Sequence, residues 1–138
     1  DLIEKLLLEL KEALTIQNPR PLHEIPKDEM SANLILLFEH IQKKHIAYET
    51  LLIYQPDALF TNGIQDILKE FVTDGIYFAQ TRPYLINVNE QLIIAYVAGA
   101  YLESVRWWIT TNYETSPIHM ANTLIELSIN GPYIKRLP

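Results

Sequence analysis

At 138 residues, with 11 Lys and Arg against 17 Asp and Glu for a net charge of −6, the chain has the length of one domain and an acidic balance. Its basic residues are scattered, which excludes the stripe that neutralises nucleic-acid phosphates, and the lack of cysteine excludes disulfides and thiolate metal sites. No apolar run approaches the ~18 residues of a bilayer span and no signal segment opens the chain, so a soluble, cytoplasmic protein with no membrane partner is expected.

The chain opens on "DLIEKLLLELKEAL", where Leu2, Ile3, Leu6, Leu7, Leu10, Ala13 and Leu14 share an arc of about 140° and predict an amphipathic helix to residue 15. Leu8 alone falls in the charged arc. The helical pattern runs from the first residues with no initiator Met, as expected of a fragment that lacks an N-terminal neighbour. Pro19, Pro21 and Pro26 then exclude a regular helix and predict an extended connection.

Helical period resumes after Asp28, a candidate N-cap, through "MSANLILLFEHIQKKH", followed by a short helix, "AYETLLIY". Pro56-Asp57 predicts a stop and a new start for "ALFTNGIQDILKEFVTDGIYFAQ", in which Gly63 and Gly75 predict a kink or break. Asn87 with Glu90 resembles a capping box for a helix running to about Thr111, and Ser116-Pro117 starts a last helix ending near Gly131. No stretch alternates with period two for long enough to argue a sheet. The expected fold is all-α, with about six helices in a single domain over residues 1–138.

The helix of residues 90–111 is apolar nearly all round. Ile94, Val97, Ala98, Tyr101, Val105 and Trp108 form one face, suited to the chain's own core. Ala95, Gly99, Leu102 and Arg106 form a second, with Leu92 on it and Tyr96 and Trp107 at its flanks. Adjacent residues on a helix point about 100° apart, so Trp108 is assigned to the core face and Trp107 to the flank of the second. The last helix carries Ile118, Ala121 and Ile125 beside Met120, Leu124 and Leu127, an apolar arc of about 200°. Such surplus fits either central helices of a larger bundle or a four-helix interface closed by a two-fold homodimer, with Ala95, Gly99, Leu102, Arg106, Ile118, Ala121 and Ile125 at the contact.

Catalytic chemistry finds no constellation. His40 and His45 are five apart, which is not the i, i+4 spacing of a zinc helix, and the four glycines lie too far apart to form a phosphate loop. Neither an enzyme, a metal nor a cofactor is expected. What remains is an aromatic interior in which Phe38, Tyr48, Phe71, Tyr101 and Trp108 either pack a filled core or line a pocket for a small, largely apolar effector.

The stretch "YVAGAYLESVRWWITTNYETSPIHMANTLIEL" resembles the C-terminal domain of TetR-type transcriptional regulators, in Ala98, Gly99, the pair Trp107 and Trp108, Ile109, Ser116, Pro117, Met120 and Ala121. Ile118 and His119 depart from the acidic first turn of that pattern. The resemblance implies a homodimeric, effector-sensing module whose last two helices form the dimer bundle. It also implies a helix-turn-helix domain ahead of the first helix, through which alone DNA would be a partner. The alternative is a helical protein-interaction module with a filled core and no ligand.

Overall fold

The computed structural model describes residues 1–15, 27–80 and 88–131, with side chains for 1–15, 31–74, 88–128 and 131. Six α-helices are described: α1 (Leu2–Leu14), α2 (Lys27–Lys43), α3 (His45–Glu49), α4 (Ala58–Gln80), α5 (Glu90–Thr110) and α6 (Pro117–Asn130). A π-helical turn, Thr50–Tyr54, continues α3. The described residues contain no strand. The prolines at 19, 21 and 26, and Asn87 of the expected capping box, lie outside the described residues.

Helix α1 begins at Asp1, whose Oδ1 accepts from the Glu4 amide at 2.9 Å and satisfies one of the four unpaired first-turn donors. Leu6, Leu10 and Leu14, each one turn apart, are its buried stripe against α2 and α4, and Leu8 is exposed as its place in the charged arc requires. Leu2 differs from expectation: it lies in the apolar arc yet is exposed, because the stripe of contact starts at Ile3. Helix α2 already includes Lys27, so Asp28 stands in its first turn rather than at its cap. The helix breaks at Lys44 and places His45 in the next one.

The segment expected as one short helix changes register midway. The Gln55 amide donates to the Thr50 carbonyl at 2.8 Å, an i to i−5 bond, while Thr50 Oγ1 takes the Ile46 carbonyl at 2.8 Å. Pro56 has no N–H to continue an α-helical ladder and disfavours α-conformation at Gln55, so the chain closes its last turn wide. Asp57 then caps α4, accepting from the Phe60 amide at 2.9 Å.

The break expected at Gly63 or Gly75 is absent: α4 runs unbroken from Ala58 to Gln80. Gly63 is there because α1 crosses at that point. A Cβ built on it would stand 2.5 Å from Leu7 Cδ1 and 2.9 Å from Leu7 Cδ2, closer than real atoms pack. Helix α5 starts at Asn89, whose side chain accepts from the Leu92 amide at 3.1 Å. It lies along α4, while α6 lies along α2.

One apolar core joins these helices. Trp108, Tyr48, Phe38, Phe60, Leu6, Leu10, Leu34, Leu37 and Leu68 are the largest of its fully buried side chains, each contributing about 1.5–3 kcal/mol of transfer free energy. A part-buried polar tie, from Ser31 Oγ to Asn122 Oδ1, registers α2 against α6.

Candidate functional site

The five aromatic candidates are all buried in the core, where they meet neighbouring rings in pairs. The Phe38 and Trp108 rings meet edge to face with centroids 5.0 Å apart, Tyr48 tilts against Phe60 at 5.5 Å, and Phe71 tilts against Tyr101 at 6.3 Å. Each pair holds the spacing at which aromatic quadrupoles attract. Tyr101 also has its hydroxyl committed, in a 2.5 Å hydrogen bond with Ser128 Oγ that joins α5 to α6. Burial pushes the Tyr101 phenol up from its ordinary pKa, and the Ser128 bond opposes that shift.

Trp108 is 0% exposed and Trp107 is 55% exposed, as the 100° step between neighbours requires. The Trp108 indole does more than fill volume. Its Nε1–H donates to the Thr115 carbonyl at 2.6 Å and so spans the whole turn between α5 and α6. In that turn the Tyr113 amide donates to the Trp108 carbonyl at 3.1 Å and the Asn112 amide to the Ile109 carbonyl at 3.0 Å. These are the 6→1 and 5→2 bonds of a Schellman motif, with Asn112 at φ 59° as the left-handed C′ residue. The motif's usual apolar contact is here aromatic, Tyr113 edge-on to Trp108 at 4.9 Å.

Tyr113 is itself left-handed at φ 59°, an uncommon state for a bulky side chain. Its hydroxyl donates to Glu49 Oε1 at 2.7 Å, fastening the turn to α3, and His45 Nδ1 lies 3.3 Å from the same oxygen. Burial first, and then the bond to the Glu49 carboxylate, raise the Tyr113 phenol well above its ordinary pKa. This latch had no sequence signal, since 64 residues separate its two ends.

The proposed contact face divides. On α5, Ala95 is exposed, Gly99 and Arg106 are half-buried, and around them stand Leu92 at 63% exposure, Tyr96 at 76% and Trp107. Among the described residues, a Cβ added at Gly99 meets nothing within 4 Å, so no described neighbour explains the glycine. Arg106 forms an ion pair with Glu103 one turn back on the same face. Leu102, however, is buried in the protomer, as are Ala121 and Ile125 of α6; of the three α6 residues assigned to the contact only Ile118 is exposed. Helix α2 packs along α6 and covers much of its apolar arc, so the exposed large apolar side chains of the last two helices are Leu92, Tyr96 and Trp107 on α5 with Ile118 and Leu127 on α6.

Sequence reasoning missed a groove of about 490 Å³ between the start of α1 and the α2–α3 corner, walled by Leu2, Ile46, Ala47 and Leu51 with Lys43 and Lys44. None of the five candidate aromatics lines it. Among the described residues, no group of three or more His, Asp or Glu is placed to hold a metal ion, and no helix is long and apolar enough to cross a membrane.

Comparison with known proteins agrees with this architecture. Neither curated proteins nor solved structures return a match. A family model, TetR_C_8, described as a transcriptional regulator C-terminal region, matches residues 28–130, from the first turn of α2 to the last residue of α6. That span covers most of the 138 residues and includes the whole α5–α6 unit; the family is one of regulators rather than enzymes. The chain belongs to the C-terminal-region family of TetR-type transcriptional regulators.

Proposed function

We propose that this chain is the homodimerising, effector-sensing domain of a cytoplasmic TetR-type regulator, acting on DNA only through a helix-turn-helix domain coupled to α1. The observation that carries the reading is the outward face of α5, where Leu92, Tyr96 and Trp107 are exposed around a glycine whose Cβ position meets none of the described residues. Three large apolar side chains along one exposed helix face mark an interaction surface more often than a solvated one. A glycine among them lets a second helix approach closely, and a two-fold pairing of α5 on α5 buries the face on both copies at once.

Effector binding would act on the aromatic interior and reach α1 through the Leu6, Leu10 and Leu14 stripe. A second reading, a protein-interaction domain with a filled core, draws support from the ring pairs that occupy the aromatic interior. A thermal-shift screen over lipophilic cations, fatty acids and aromatic compounds separates the two. A ligand held only by the folded state raises the melting temperature in proportion to the logarithm of its concentration. Sensing predicts at least one such dose-dependent rise, whereas no response across all three classes favours the filled core.

A further inference from the structure

Three polar side chains meet where α1, α2 and α3 adjoin: Glu9, His40 and Tyr48. Tyr48 is 0% exposed, and its hydroxyl has no hydrogen-bond partner among the described residues. His40 Nε2 is also buried and without a hydrogen bond. Glu9 Oε2 stands 3.6 Å from that nitrogen, too far for a direct bond, and the imidazole lies edge-on to the Tyr48 ring with centroids 5.6 Å apart. The Glu9 carboxylate acts on both neighbours, opposing ionisation of the phenol and favouring that of the imidazole.

Protein interiors pair nearly all buried polar atoms, and where polar groups stand too far apart for a direct bond a water within reach of each can satisfy them. The contrast with the other polar aromatics is informative. Tyr101 is bonded to Ser128 and Trp108 to Thr115, whereas Tyr48 is not; Asn33 Nδ2 and Gln65 Oε1 are also buried without a partner, but at Tyr48 and His40 two such atoms belong to side chains that both feel the Glu9 carboxylate.

We propose that Glu9, His40 and Tyr48 form a buried hydration site in which one water ties α1 to the α2–α3 corner. Water has two protons to give and accepts through its oxygen. It donates to the Glu9 carboxylate and to Nε2 of a neutral His40 carrying its proton on Nδ1, and it accepts from the Tyr48 hydroxyl. All three protein groups are thereby satisfied with one molecule. Helix α1 is then held by its leucine stripe and by a water-mediated polar joint rather than a direct one. This inference is independent of effector binding and of dimerisation.

Tyr48→Phe and Glu9→Gln, singly and together, test it by amide hydrogen exchange over α1 and by thermal denaturation. Loss of one water-mediated bond should speed exchange in α1 about fivefold and lower the melting temperature, with the double variant little worse than either single one, because both act through the same water. A Tyr48→Phe protein as stable as the parent, or more so, overturns the proposal, since that is the outcome of deleting an unpaired buried hydroxyl. Additive effects of the two substitutions would overturn it as well. A crystal structure at high resolution should place an ordered water within hydrogen-bonding distance of all three side chains, and density without one would contradict the site directly.

Discussion

Replacing Gly63 by Ala sets two opposing effects against each other at the α1–α4 crossing. A mid-helix Gly→Ala change stabilises by about 1 kcal/mol where nothing obstructs it. Here the new methyl would arrive 2.5 Å from Leu7 Cδ1, 2.9 Å from Cδ2 and 3.3 Å from Cγ, so the whole end of that side chain must move. Overpacking of this kind costs about 1–3 kcal/mol. The net expectation for Gly63→Ala is therefore a loss of about 0–2 kcal/mol. In a Leu7→Ala background the obstruction is gone, and the same substitution should stabilise by about 1 kcal/mol. A double-mutant cycle by urea unfolding, at one protein concentration for all four proteins, should give a coupling of about 1–3 kcal/mol between positions 7 and 63. If Gly63→Ala stabilises both backgrounds equally, α1 does not cross α4 at Gly63 and the packing described here is wrong.

Other substitutions probe the turn and the buried imidazole. Trp108→Phe keeps a ring against Phe38 but removes the Nε1 bond to Thr115, so a loss of about 1–3 kcal/mol is expected in chemical denaturation. Asn112→Gly relieves a left-handed non-glycine residue at the C′ position and should raise stability by a few tenths to about 1 kcal/mol. Burial, outweighing the attraction of Glu9 and aided by Lys44 and Lys43, lowers the His40 pKa below 6.5. The unfolded chain therefore binds this proton first, and stability should fall as pH drops below 6.5 until the folded-state pKa is passed. His40→Gln should flatten that part of the stability–pH curve, and an unchanged slope would refute the assignment.

Much of this fold is legible because its signals are local. Asp57 and Ser116-Pro117 announce helix starts through their own side chains and rings, and the structure puts caps at both. The two tryptophans are likewise separable by geometry alone. What stayed hidden depends on which element lies opposite. A glycine inside a helical pattern reads as a weak point until Leu7 is known to sit on it. Periodicity gives α6 a broad apolar arc without saying which element lies against it, and Ala121 and Ile125, assigned to a contact between copies, are already buried within the protomer. The Tyr113–Glu49 latch and the Glu9–His40–Tyr48 cluster join distant segments through single polar atoms, which leave no period to detect.

Dimerisation through the α5 face is tested most directly by light scattering at micromolar concentration on the parent and on Gly99→Leu. The parent should have twice the 16.0 kDa mass of the chain. Gly99→Leu should keep its helical content and melt cooperatively, since a Cβ there meets no atom of the described residues, yet it should shift toward 16.0 kDa. A parent that remains at 16.0 kDa across the concentration range would contradict dimerisation itself. A Gly99→Leu protein as dimeric as the parent would place the contact on some face other than α5.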